Sequence, residues 1–360
     1  KKRTPQELEE AIELLGSSIN VSAQDEKIVL SGNSLARNFE ATMELVKEIL
    51  LEPRWDEAEF KIAKQQVLSR IQQLKANPNS IAELEFRKLI YGPNHILSRY
   101  NLGTEKSVEN ITIQDLKDYY NRNLSPLKAQ FLAVGDLNMD KAVKSLKAIS
   151  ASWAPKTVNI PTYPEPKTPE KAAVYFYDVP GAKQSVIKIG APALAANHED
   201  FYSTEVMNYR LGGGGFASQL TQELREGKGY TYGIRSGFEG SKITGPFAVT
   251  SGVRSNITFE AVALIRDIMA NYPESLQPND LEVTQGYMTK SNARRFETLG
   301  AKLGMLRDIH EYDLPDDYIK QRYCIVAFFP RRFVKGLIDE QWNLNFEECL
   351  GPNLLQTLIG

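Results

Sequence analysis

One order of elements occurs twice along this 360-residue chain, and that repetition limits the possible architectures more than any composition figure does. In the first half, Thr4-Pro5-Gln6-Glu7 supplies an N-cap, a proline at the first helical position and a glutamate spaced for a capping box. Leu8, Ala11, Ile12 and Leu15 then recur at helical spacing until Gly16. Two strands are expected at 19–22 and 27–31, around Gln24-Asp25, and then a helix at 41–51 that stops before Pro53. Longer helices at 57–75 and 81–91 follow, the second with a capping box at Ser80 and Glu83. In the second half the pattern predicts strands at 173–179 and 185–191 and a helix at 200–209. Then come a helix at 219–226, a strand through 230–234, another at 247–253, and helices at 259–270, 279–296 and 299–309. Helix, two strands, helix, proline-containing turn and two long helices thus occur in both halves, and an internal duplication explains this economically.

The fold expected from this pattern is α+β: two homologous domains, each a mostly antiparallel sheet covered on one side by helices. The first domain spans 1–153 and also holds a helix from Thr112 to about Tyr120, a short apolar strand at 129–135 and a helix at 141–149. A Pro-, Lys- and Glu-rich linker occupies 154–171, and the second domain spans 172–360. The second copy has roughly fifty residues of strand and helix before the helix that matches Thr4 onward, so the first domain is expected to lack its opening strand and helix. Lys1 would then fall inside a fold, with the deficit met by an absent segment or another chain. Forty-three basic against 45 acidic residues, a net charge of −2, argue against nucleic acid or an anionic membrane as the main partner. No apolar run approaches the ~20 residues of a membrane span. Cys324 and Cys349 allow at most one pairing and imply no disulfide framework.

The stretch LGGGGFASQLTQELREGKGYTYGIRSG, 211–237, carries the strongest functional signal. Gly212, Gly213, Gly214 and Gly215 precede a run in which Phe216, Leu220 and Leu224 recur at helical spacing, closed by Gly227 and Gly229. Tyr230, Tyr232 and Ile234 then alternate as a half-buried strand does. Arg225 falls on the last helical turn and Tyr232 on the adjoining strand, so a guanidinium and a phenol can face one cavity. Simpler readings stand beside this one. An arginine there complements the helix dipole, a strand tyrosine packs in a core, and four glycines permit tight packing. A phosphate-cradling loop is disfavoured, because no Gly-Lys-Ser or Gly-Lys-Thr follows the glycines.

Helix, Leu-Arg-Glu, a glycine-containing turn and Tyr-Gly in this order resemble the signature of the pitrilysin-type zinc metallopeptidases, which include insulin-degrading enzymes and mitochondrial processing peptidases. The resemblance runs from Lys1 to about Arg322. It implies that Arg225 and Tyr232 belong to the half without zinc and reach the scissile peptide, stabilising its carbonyl or the developing oxyanion. Gly212, Gly213, Gly214 and Gly215 would let the backbone approach the substrate or let the half move. In active relatives the metal sits on His-x-x-Glu-His, a motif absent here, with a further glutamate ligand on a later helix. In this chain Ala63 and Arg70 occupy the later helix's two glutamate positions, and a guanidinium has no lone pair to coordinate a metal. His95, His198 and His310 stand far apart, each without a partner at ligand spacing.

The resemblance therefore implies no cofactor in this chain and zinc in a partner. That partner is a zinc-bearing peptidase-like subunit or the preceding half of a longer polypeptide, with a peptide or unfolded polypeptide as substrate. A structural subunit without proteolytic role and a truncated self-sufficient zinc peptidase are the alternatives. Likeness to bacterial two-half peptidases implies an exported or periplasmic location. The segment from Cys324 onward departs from the family pattern, since the run after Asn345 shows no closing strand like the one ending at Val134-Gly135-Asp136.

Overall fold

The computed structural model describes residues 3–294 and 297–328. In chain order the regular elements are α1 (Pro5–Leu14), β1 (Ser18–Ala23), β2 (Ile28–Asn33), α2 (Phe39–Leu51), α3 (Glu57–Ala76), α4 (Pro78–Tyr91), α5 (Glu105–Asn110), α6 (Ile113–Asn123) and α7 (Met139–Ser150). Then follow β3 (Gln184–Pro192), α8 (Phe201–Asn208), β4 (Thr231–Phe238), β5 (Pro246–Arg254), α9 (Thr258–Ser275), α10 (Pro278–Arg294), α11 (Leu299–Glu311) and α12 (Tyr318–Phe328). The chain is α+β with antiparallel sheets: a hairpin β1-β2, and a three-stranded sheet in the order β3-β5-β4. No helix among the described residues is long and apolar enough to cross a membrane.

Two compact units emerge, Lys1–Leu74 with Arg99–Tyr163, and Lys75–Ser98 with Pro164–Gly360. The change from one to the other at 163/164 lies inside the proline-rich stretch. Residues 75–98 belong to the second unit because α4 docks on its sheet. Phe86, Ile90 and Tyr91 on α4 form a small core with Leu97, Ile243 and Ala248. Arg87 grips the Glu239 carboxylate with both bonds from one nitrogen, at 2.6 and 2.9 Å, while Glu83 pairs with Lys188 on β3. Burial pushes the Tyr91 phenol up to about 12. Helix α4 itself begins earlier than the Ser80/Glu83 box implies. Asn77 is its N-cap, accepting from the Asn79 and Ser80 amides, and Pro78 takes the first helical position.

In the first unit the Thr4/Glu7 capping box forms as its sequence requires, with Glu7 N–H donating to Thr4 Oγ1 at 3.2 Å and Thr4 N–H to the Glu7 carboxylate at 2.7 Å. Helices α2 and α7 bury Met43, Leu45, Ala142 and Ile149. Two expected strands are not strands. Residues 129–135 and 173–179 carry no ladder, and Phe131 and the run Val174, Tyr175, Phe176, Tyr177 are exposed. Apolar content favours a strand only where a neighbouring strand supplies a ladder, and among the described residues no strand pairs with either segment.

The second unit holds the main core. Helix α9 lays Ala261, Ile265, Met269 and Tyr272, spaced at three and four residues, into the same apolar cluster as Val249 and Val253 of β5. Leu211, Leu220 and Leu224 are fully buried in it. Each such leucine contributes on the order of 1.5–3 kcal/mol. The Tyr272 hydroxyl, fully inside, donates to the Met207 carbonyl at 2.6 Å, which satisfies the one polar atom that α9 brings into the core. Residues 329–360 lie outside the described part. The expected departure of the final segment from the family pattern therefore falls largely there, as does Cys349, while Cys324 is an exposed free thiol on α12.

Candidate functional site

The glycine run starts where α8 passes into a π-helical turn, Tyr209–Gly213, closed by the Gly214 amide donating to the Tyr209 carbonyl at 2.7 Å. Here the chain crosses β4 at very short range. A Cβ on Gly212 would stand 2.2 Å from Ser236 Oγ and 2.6 Å from the Ser236 amide nitrogen, so a glycine is obligatory. The same crossing is tied by Asn208, whose side-chain amide donates to the Ser236 carbonyl at 2.9 Å and accepts from the Ser236 hydroxyl at 2.5 Å. Gly213 and Gly214 fold against Asn208 and Tyr209 of the preceding turn, and Gly215 takes φ +58, where the chain reverses.

After this reversal, 215–217 forms a single 3₁₀ turn, and Thr221–Gly227 is a second π-helical segment in place of the expected α-helix. Leu220 and Leu224 keep the four-residue spacing and point into the core. Phe216 does not share their stripe. It lies before the helix and is 64% exposed. Gly229, at φ +60, ends the segment with its amide donating to the Arg225 carbonyl at 3.1 Å.

Strand β4 carries an irregularity at Tyr232. Thr231 pairs with Val253 and Ile234 with Ser251, so three steps on β4 face two on β5, a β-bulge at Tyr232 and Gly233. Hydroxyls replace the missing ladder bonds. Thr231 Oγ1 lies 2.7 Å from the Gly252 carbonyl and accepts from the Gly233 amide at 3.0 Å, and Ser251 Oγ lies 3.1 Å from the Gly233 carbonyl. The extra residue breaks the alternation anticipated for Tyr232 and Ile234. Ile234 is 5% exposed and Tyr232 89%, so the two point away from each other.

The bulge and the π-turn together place three side chains in one group. The Arg225 guanidinium carbon is 5.3 Å from the centroid of the Tyr232 ring and 4.6 Å from that of Phe216, within cation–π range of both. Its Nε is 3.5 Å from the Glu226 carboxylate, an exposed neighbour. The arginine and tyrosine singled out in the sequence therefore meet at the surface of the second unit. Among the glycines, Gly212 is buried under β4 whereas Gly213 and Gly215 are exposed. Phe216 is the member that sequence reading assigns elsewhere, because four-residue spacing to Leu220 mimics a core stripe. The cue for its true position was Gly215, a residue suited to a chain reversal, immediately before it. Chemically the group offers guanidinium N–H donors and a phenolic hydroxyl beside an apolar ring, which suits a peptide carbonyl or an oxyanion.

A zinc ion does not fit the residues of α3. Ala63 and Arg70 are exposed two turns apart, and Arg70 reaches the Gln73 side chain at 3.3 Å. His95 is buried and stacked on Tyr91, His198 accepts from the Asp200 amide at 3.1 Å, and His310 is exposed on α11. Among the described residues no three His, Cys, Asp or Glu side chains gather as a metal site.

The sequence matches the peptidase M16 inactive domain over residues 110–286 and the insulinase (peptidase family M16) domain over residues 1–96. It is 25% identical to a non-peptidase homolog of Helicobacter pylori, covering 83% of this chain and 68% of that protein. To an uncharacterized zinc protease of Streptomyces coelicolor it is 24% identical, over 85% of this chain and 67% of the other. The crystal structure of a peptidase M16 inactive domain from Pseudomonas fluorescens superposes with a TM-score of 0.84 at 24% identity, spanning 95% of this chain and 82% of that one. Fold, the Leu-Arg-Glu to Tyr-Gly signature and both domain matches converge: the chain belongs to the M16, or insulinase, family of peptidases and carries its inactive-domain type.

Proposed function

We propose that this chain is the substrate-binding, non-metal half of an M16 zinc peptidase and that Arg225 and Tyr232 are its contacts with the peptide. The observation that carries the reading is the junction of the π-turn and the β-bulge, which brings a guanidinium within 5.3 Å of an exposed tyrosine ring. A protein surface seldom spends a bulge and a π-turn on one pair without use, and both distortions concentrate at functional sites. Arg225 donates to the carbonyl oxygen of the peptide and holds the negative charge that builds on it, with the Tyr232 hydroxyl as a second donor. Gly213 and Gly215, lacking side chains beside the group, leave room for the substrate backbone. The partner is an M16 half that holds zinc and the attacking water; this chain contributes none of the metal ligands.

Co-purification with the zinc-bearing half and turnover of an internally quenched peptide test this. Arg225→Ala and Tyr232→Phe should each lower kcat/KM by about tenfold or more while the complex stays assembled. Zinc should be found in the pair and not in this chain alone. Unchanged turnover in both variants would leave the pair without a role in the reaction, and stoichiometric zinc in the isolated chain would overturn the division of labour.

A further inference from the structure

Phe216 is a large aromatic side chain on the surface, and the loop that carries it is fixed with unusual thoroughness. Its own carbonyl accepts from the Gln222 side-chain amide at 2.5 Å, and the next carbonyl, of Ala217, accepts from the Arg210 guanidinium. Arg210 is held in turn by Asp280 at 2.8 Å, a half-buried pair. The buried Ser218 hydroxyl donates back to the Gly215 carbonyl at 2.7 Å. Little hydrophobic burial is gained, since the ring remains 64% exposed. What the ring touches is Arg225, whose guanidinium lies 4.6 Å from its centroid, closer than to Tyr232.

We infer that Phe216 is a positioning residue for the site, its ring fixing the Arg225 guanidinium beside Tyr232 so that the donor is in place before a peptide arrives. This rests on the proposed role of Arg225. A free arginine side chain samples many rotamers, and ordering it at the moment of binding costs part of the interaction. Aromatic contact with both Phe216 and Tyr232 removes that freedom beforehand. It also leaves the Nη N–H groups for a carbonyl, because a ring face attracts the cation without accepting any one N–H bond, and the Glu226 carboxylate lies on the Nε side, 3.5 Å away. In this role Phe216 need not touch the substrate, and its loss should appear in kcat more than in KM.

The test compares Phe216→Ala, Phe216→Tyr and Arg225→Ala, alone and combined, in the complex with the zinc-bearing half, using the same quenched peptide. Phe216→Ala is expected to lower kcat about two- to fivefold with KM nearly unchanged, the range set by a solvent-exposed cation–π contact. Phe216→Tyr should restore it, and Phe216→Ala should have no further effect in the Arg225→Ala background. In the isolated chain, removing the ring should shift the Arg225 Nε–H resonance and collapse its resolved Nη–H signals, while the unfolding midpoint stays put. A kcat loss that persists in the Arg225→Ala background, or Arg225 resonances indifferent to Phe216→Ala, would overturn the inference. Should Arg225→Ala itself be silent in turnover, the proposed role of Arg225 fails instead, and the resonances still decide whether Phe216 holds the guanidinium.

Discussion

At the scale of single residues, glycines that look alike in the sequence do different work. Gly212 is required by space, since its hypothetical Cβ collides with both the amide and the hydroxyl of Ser236. Gly215 is required by backbone angle, with φ +58 and nothing within 4 Å of its Cβ position. Gly212→Ala must push the π-turn away from β4 and should cost about 2–3 kcal/mol. Gly215→Ala meets only left-handed strain, about 1 kcal/mol. Urea denaturation of the two variants checks this, and equal losses would mean that the crossing at Ser236 is looser than the geometry indicates. Four consecutive glycines announced special backbone, but which constraint each one answers depends on Asn208 and Ser236, 28 residues apart, and no local pattern contains that. The pairing of Arg225 with Tyr232 was legible because helix and strand are adjacent in sequence. The bulge was not, because it arises from register against β5.

At the scale of elements, α4 shows how an ion pair can tie a helix to a sheet. Burial by itself would raise the Glu83 carboxyl, yet the hydrogen bond and charge of Lys188, together with Arg87, outweigh it and hold the group below its ordinary 4.5. A depressed carboxyl binds its proton less readily in the folded chain than in the unfolded one, so its contribution is complete above about pH 4.5 and fades as the pH falls through the folded value. The second unit should therefore lose stability on acidification below pH 4.5, and Glu83→Gln should flatten that part of the curve while changing little near pH 7 relative to its own acid value. Thermal unfolding of both proteins between pH 3 and 7 measures it; parallel curves would show that Glu83 is not the titrating group. The helical type of α4 and its end at Tyr91 were readable from the sequence, whereas its start was not, because Asn77 and not Ser80 caps it. Its attachment was not, because Lys188 and Glu239 lie more than a hundred residues away in sequence.

At the scale of the whole molecule, the expected repetition is visible as a recurrent order: helix, two antiparallel strands, short 3₁₀ turn and two helices, from α1 to α3 and again from the π-segment before β4 to α10. Segments expected as strands on apolar content alone, 129–135 and 173–179, fail for a reason of the same scale, since a strand is a property of a sheet and not of a segment. The division into units has a testable consequence. Lys167 and Lys171 are exposed in a stretch without regular structure, which makes them preferred sites for trypsin. A cut there separates the chain covalently, yet α4, on the N-terminal fragment, packs Phe86, Ile90 and Tyr91 against Ile243 and Ala248 on the C-terminal one. The nicked protein should therefore elute as one species in native size-exclusion chromatography and fall into two fragments only in denaturant. Ile90→Ala combined with Arg87→Ala removes apolar contact and the grip on Glu239 together, about 2–5 kcal/mol from the first alone, and should let the nicked halves part under native conditions. Fragments of the unmutated protein that separate without denaturant would show that α4 does not hold the chain together across the cut.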